Sequence, residues 1–149
     1  MKLIYISISG NTRSFAKRLA EYAAAQQTTD PTAPTITLKE IDDNSPFEVE
    51  TENFFAMVPT YLEGGNGVDN GDVEILTDVL RDYLDYQNNY RYCLGVIGSG
   101  NKNFNRQYCL TAKQYAAQFD FPFLADYELR GTTADLERIY QLLKTANQN

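Results

Sequence analysis

The chain has 149 residues, 43% hydrophobic and 13% aromatic, which suits one folded domain over residues 1–149 and excludes extended disorder. A net charge of −7 with a pI near 4.5 speaks against nucleic acid as a partner, because phosphate contacts need clustered Lys and Arg. There is no histidine, which removes at once the usual general base, the Ser–His and Cys–His nucleophile systems and the commonest metal ligand; no catalytic residue and no metal site are expected.

Leu3 to Ile8 reads as a first strand, and Phe15, Leu19, Tyr22 and Ala23 then fall at helical spacing, so a helix is expected from about Arg13 to Gln26. Between them lies Ser7-Ile8-Ser9-Gly10-Asn11-Thr12. This strand, tight polar loop and helix start bring together backbone N–H groups, the hydroxyls of Ser7, Ser9 and Thr12, and the positive end of a helix dipole, which is what an anion needs. The loop carries no Lys, so it is no Walker A loop, and a phosphate here would be held by neutral donors. The plainer alternative is an N-cap, Asn11 or Thr12, with nothing bound.

A polar stretch containing proline leads to Thr35 to Ile41, whose alternation predicts an edge strand. The acidic segment after it is too short and too charged for a helix. Phe54 to Val58 is a continuous apolar run, as expected of a strand covered on both faces. Pro59 to Gly71 is the longest irregular segment and holds four of the nine glycines. Leu76, Val79, Leu80 and Tyr83 mark a second helix, Cys93 to Ile97 a fourth strand, and Tyr108, Ala112, Tyr115, Ala116 and Phe119 a third helix. Phe123 to Leu129 is the last strand; Leu136, Ile139, Tyr140 and Leu143 mark the final helix, with fraying expected after Ala146.

Alternating strands and helices predict an α/β fold: a doubly wound, five-stranded parallel sheet with helices on both faces. The connection from the second strand to the third is its weak point, since parallel neighbours need a crossover and no helix is legible there. Cys93 and Cys109 read as small core residues rather than a redox pair. Met1-Lys2 leads straight into a strand and no apolar run reaches the length of a membrane span, so a cytoplasmic location without a membrane partner is expected. Thirteen acids and a single base, Arg81, lie between Glu40 and Asp85; this is either a solvated face or a docking surface for a protein.

In such a sheet ligands bind beyond the carboxyl ends of the strands, where the strand order reverses. Three loops lie at that edge: Ser7–Thr12, Pro59–Gly71 and Gly98–Phe104. The first suits one phosphate, and Tyr61 and Phe104 could flank a planar ring. Backbone groups of Gly64 and Gly65 could meet a ring nitrogen whose protonation changes with redox state. One phosphate plus one ring with polar edges describes a flavin mononucleotide, FMN. Ordinary loop anchoring is the competing role for the two aromatics.

Ser7-x-Ser9-Gly10-Asn11-Thr12, Pro59-Thr60-Tyr61 with its glycine-rich continuation, Gly98-Ser99-Gly100-Asn101-Lys102-Asn103-Phe104 and Tyr127-Glu128-Leu129-Arg130-Gly131-Thr132 together resemble the NrdI family, flavodoxin-like accessory proteins of class Ib ribonucleotide reductase. The resemblance covers nearly the whole chain. It implies a flavodoxin-like sheet of strand order 2-1-3-4-5, bound FMN and reduction by an electron-donor reductase or redoxin. It further implies reaction with molecular oxygen and delivery of electrons or a reduced-oxygen oxidant to the small subunit, whose dimanganese-tyrosyl radical centre is thereby assembled. Carried over by position, Ser7, Ser9, Gly10, Asn11 and Thr12 would hold the phosphate, Tyr61 and Phe104 would flank the ring, and Thr60, Gly64, Gly65, Ser99, Gly100 and Asn103 would contact its edges. One departure is Leu62-Glu63, which intervenes between Pro-Thr-Tyr and the glycines and leaves open which glycine faces the ring. Charges at Glu63 and Lys102 would then tune the reduced ring in opposite directions.

Four other readings compete. Ser7-x5-Arg13 has the spacing of a phosphatase loop, but Ser stands where such a loop needs Cys. A phosphoacceptor domain would want acids where this chain has Ser and Pro-Thr. A general flavodoxin-type electron carrier, or a cofactor-free interaction module using the acidic face, completes the set. In each flavin reading the redox chemistry belongs to the cofactor, so the protein reads as an accessory rather than a stand-alone enzyme.

Overall fold

The computed structural model describes residues 1–64 and 71–148. Its main sheet is built from β1 (Lys2–Tyr5), β2 (Thr37–Glu40), β3 (Phe54–Pro59), β6 (Cys93–Gly100) and β7 (Phe123–Glu128), and every pairing in it is parallel. The order β2-β1-β3-β6-β7 is the expected 2-1-3-4-5 arrangement. A short antiparallel hairpin, β4 (Leu62–Glu63) with β5 (Val73–Glu74), rises from the long segment after β3.

Alternation along the apolar strands builds a core on each face. Phe55 and Met57 of β3 join Leu3 and Tyr5 against α1 (Asn11–Thr29) and α4 (Thr133–Asn147), through Phe15, Leu19, Ile139 and Tyr140. Phe54, Ala56 and Val58 turn the other way and join Ile4 and Ile6 against α2 (Asp78–Asp85) and α3 (Leu110–Phe119), through Leu80, Tyr83, Ala112 and Tyr115. The continuous apolar run from Phe54 is thus two interleaved faces. A capping box between Thr132 and Asp135 starts α4, and that helix continues to Asn147, slightly past the expected fraying point.

Element ends differ from the sequence reading where local geometry intervenes. β1 stops at Tyr5, so Ser7 and Ile8 belong to the loop. Leu76 and Tyr108 precede their helices, and Leu76 is exposed at a positive φ of 68°. Cys109 occupies the left-handed N-cap of α3. Both cysteines are free and buried, and burial pushes each thiol up to about 12, consistent with packing residues.

Residues 41–53, which carry the chain from β2 across β1 to β3, contain no helix. A buried carboxylate holds this crossover instead. Glu50 is 2% exposed and accepts hydrogen bonds from Lys2 Nζ at 2.5 Å, Lys39 Nζ at 2.7 Å and Tyr83 Oη at 2.5 Å. Its own N–H donates to Asn89 Oδ1 at 2.8 Å, and the Asn89 amide returns bonds to the carbonyls of Glu48 and Tyr83. Burial alone would push the Glu50 carboxyl up, but the bonds from Lys2, Lys39 and Tyr83 outweigh it and hold it below its ordinary value. Glu40 and Glu74 are likewise engaged internally, so these acids of the 40–85 segment serve the fold rather than a solvated face.

Candidate functional site

All three rim loops reach one cavity of about 330 Å³, a size typical of small-ligand sites. Ser9, Asn11 and Thr12 line it from the first loop, Thr60 and Tyr61 from the second, and Ser99, Gly100 and Phe104 from the third. These are eight of the residues singled out from the sequence.

The first loop leads directly into the start of α1. Gly10 takes a φ of +96° at the N-cap of α1, a backbone region that a side chain would strain, and it has no side chain of its own with which to cap the helix. Asn11 and Thr12 are therefore helical residues, and the simple N-cap alternative does not describe either of them. Ser7 Oγ accepts the Arg13 N–H at 3.2 Å, so Ser7 braces the helix start without lining the cavity. The charge of Arg13 is directed away: its Nε and Nη2 donate to Glu40 Oε1 and Oε2 at 2.8 and 2.6 Å. The cavity's anion-binding capacity thus rests on neutral donors and the helix dipole.

The second and third loops supply aromatic and polar walls. Tyr61 Oη donates to Ser9 Oγ at 3.1 Å, tying the second loop to the first. The Thr60 hydroxyl is buried and has no hydrogen-bond partner among the described residues, an expense that a bound polar ligand would remove. Phe104 is 63% exposed at the cavity edge, where its ring is free to meet a ligand. Gly100 lies over α3, where an added Cβ would stand 3.1 Å from the Cys109 nitrogen. Asn103 donates its N–H to Asn101 Oδ1 at 2.9 Å, so it shapes the turn while Asn101 lines the cavity.

Gly64 also stands outside the lining, its carbonyl held by Gln107 Nε2 at 3.2 Å. Gly65 lies outside the described residues. Neither Glu63 nor Lys102 lines the cavity, and the Lys102 ammonium sits 5.8 Å from the centre of the Tyr108 ring. Pro59, Leu62, Asn101, Gln107 and Leu129 complete the lining beyond the residues singled out earlier. Topology could have found Leu129: it follows β7, neighbour of β6, and its N–H donates to the Gly100 carbonyl at 2.9 Å.

The hairpin forming the Tyr61–Leu62 wall is anchored from beneath. Glu74 Oε2 accepts from Thr77 Oγ1 and Tyr115 Oη, both at 2.5 Å, and Arg81 Nη1 lies 3.4 Å from Oε1. Burial first, and then the Glu74 charge, push the Tyr115 phenol well above its ordinary value. From the side, Gln114 Nε2 donates to the Asp72 carbonyl at 3.1 Å. No helix among the described residues is long and apolar enough to cross a membrane.

Residues 3–141 match the family model described as NrdI Flavodoxin like. An NrdI-like protein of Streptococcus pyogenes serotype M18 (strain MGAS8232) is 55% identical over 143 residues, covering 96% of this chain and 91% of the relative. An NrdI-like protein of Streptococcus pneumoniae (strain R6) is 48% identical, with 96% and 92% covered. Among solved structures, a short-chain flavodoxin associated with a PDU bacterial microcompartment superposes with a TM-score of 0.56 at 17% identity, covering 97% of each chain. Oxidised flavodoxin 2 from Bacillus cereus gives 0.55 at 15%, covering 99% of each. The structural likeness shows the fold, and the sequence match over nearly the whole chain shows the rest: the chain belongs to the NrdI flavodoxin-like family.

Proposed function

We propose that the protein binds FMN in the rim cavity and acts as a redox accessory flavoprotein of class Ib ribonucleotide reductase. The observation that carries this reading is the convergence of a hydroxyl-lined helix N-terminus with Tyr61, Phe104 and a Thr60 hydroxyl that has no partner among the described residues on one cavity. The donor set suits the group: neutral hydroxyls and N–H groups for one phosphate, aromatic and aliphatic side chains for one planar ring.

In this reading Ser9, Asn11 and Thr12 hold the phosphate, with the dipole of α1 favouring its charge. Tyr61, Phe104 and Leu129 cover the ring, and Thr60 gains the partner it lacks. Bound FMN would supply one- and two-electron transfer and reactivity with molecular oxygen. The side chains orient the ring, limit water around it and keep strong charges off the phosphate. Family membership supports the physiological setting: reduction by an electron-donor reductase or redoxin, followed by supply of electrons or a reduced-oxygen oxidant to the small subunit for its dimanganese-tyrosyl radical centre.

Purified protein titrated with FMN tests the first part: quenching of flavin fluorescence to a one-to-one endpoint is expected, and no quenching would end this reading. The second part is tested by mixing reduced, FMN-loaded protein with manganese-loaded small subunit and air. A tyrosyl radical signal is expected; its absence beside a functional control would leave a general electron carrier.

A further inference from the structure

We propose that Gln107 is a specificity-determining residue of the cavity: the β4–β5 hairpin holds its amide nitrogen, leaving its amide oxygen to accept from an N–H on the edge of the bound ring. This rests on the flavin reading above. Gln107 ends the 3₁₀ segment Lys102–Gln107 that also carries Phe104, and it lines the cavity. Its Nε2 donates to two acceptors, the Gly64 carbonyl at 3.2 Å and Asp72 Oδ1 at 2.8 Å. Turning the amide over would set Oε1 against both acceptors, so the chemistry of its neighbours fixes its orientation.

The neighbours are themselves held. Gly64 and Gly71 both have positive φ, +70° and +69°, and an added Cβ on Gly64 would stand 3.1 Å from the Gly71 carbonyl oxygen. The hairpin is narrow here, beyond its last ladder pair, Glu63 with Val73. Gln114 secures Asp72 from α3. No described residue donates to Gln107 Oε1, which leaves an oriented acceptor on a side chain that lines the cavity.

A flavin ring carries one imide N–H, at N3, in its oxidised and reduced forms alike. A site built around a fixed acceptor rejects an analogue lacking the donor more strongly than an apolar wall could, because the acceptor is left unpaired. The test compares FMN with N3-methyl-FMN, in which the donor is replaced by a methyl group, on the wild-type protein and Gln107→Leu. Affinities come from fluorescence quenching and the Tm of the ligand-free protein from its thermal melt.

Wild-type protein is expected to bind N3-methyl-FMN about tenfold more weakly than FMN. Gln107→Leu is expected to bind both equally, with FMN weakened about tenfold. A residue that only supports the hairpin would weaken both ligands alike and leave the preference intact, and that result overturns the proposal. Equal binding of both ligands by wild-type protein also overturns it, and needs no variant to fold. Failure of wild-type protein to bind FMN at all is a distinct result that removes the flavin reading and this inference with it.

Discussion

Two buried carboxylates hold two irregular segments of this molecule, and they do so at opposite ends of its purpose. Glu50 pins the helix-free crossover 41–53, meeting Lys2 at the start of β1 and Asn89 just before β6. Glu74 pins the hairpin that supplies the Tyr61–Leu62 wall of the cavity. Each is almost wholly shielded, with side chains 2% exposed, yet their partners differ: Glu50 gathers two ammonium groups, Glu74 mainly two hydroxyls. The comparison teaches that irregular backbone in an α/β protein is stabilised by polar hubs where no amphipathic helix covers the sheet. One hub holds a crossover of the sheet; the other places a wall of the cavity.

Removing Glu50 should have the largest effect. Glu50→Gln removes the buried counter-charge of two lysines, which keep only the exposed Glu48 and Glu52, and should cost about 3 kcal/mol of stability in a urea melt. The FMN affinity of the folded protein should stay as in wild type, and a fall in affinity would break the contrast between the hubs. Glu74→Gln keeps the length of the side chain but removes its charge. It should cost about 2 kcal/mol and also weaken FMN binding, since the hairpin loosens at its base. Unchanged affinity would show that the cavity wall stands without this anchor.

Phe104→Ala should weaken FMN about tenfold, with stability within about 0.5 kcal/mol of wild type, because the side chain is exposed in the ligand-free protein. Thr60→Val sharpens the contrast further. Replacing a buried hydroxyl that has no partner among the described residues with a methyl group should raise ligand-free stability by about 1 kcal/mol while lowering FMN affinity several-fold. A destabilised variant would mean that the hydroxyl already has a use in the ligand-free protein.

The acid response tests the Glu50 hub. The Glu50 and Glu40 carboxyls are held below the ordinary glutamate value of 4.5 in the folded state; burial opposes this for Glu50 and is outweighed, while the Arg13 hydrogen bonds lead for Glu40. Their stabilisation is therefore present above about pH 4.5 and lost as pH falls through the folded-state values. Glu50→Gln should flatten this acid limb in stability measured from pH 6 downward, by about the share of stability that Glu50 supplies at neutral pH. An acid limb as steep as in wild type would assign the effect to Glu40 and other carboxylates.

Much of this molecule was legible before any coordinates, for reasons that are local. Alternation and helical spacing report how a segment meets a core, so Phe54–Val58, Phe15–Ala23 and Leu136–Leu143 announced their elements, and the order of strands and helices implied the winding and the binding edge. Eight of the proposed contact residues lie together because loops at the carboxyl ends of neighbouring parallel strands must meet there. What only the tertiary structure decided is how each polar group spends its hydrogen bonds. Lys2 finds Glu50 across 48 positions, and Gln107 finds Asp72 across 35. Arg13 is taken from the anion site by Glu40, and Gly64 is turned toward Gln107 rather than the cavity. Periodicity encodes burial, which is summed along a segment, whereas a hydrogen bond needs two particular atoms within about 3 Å, and that pairing is set by the fold as a whole.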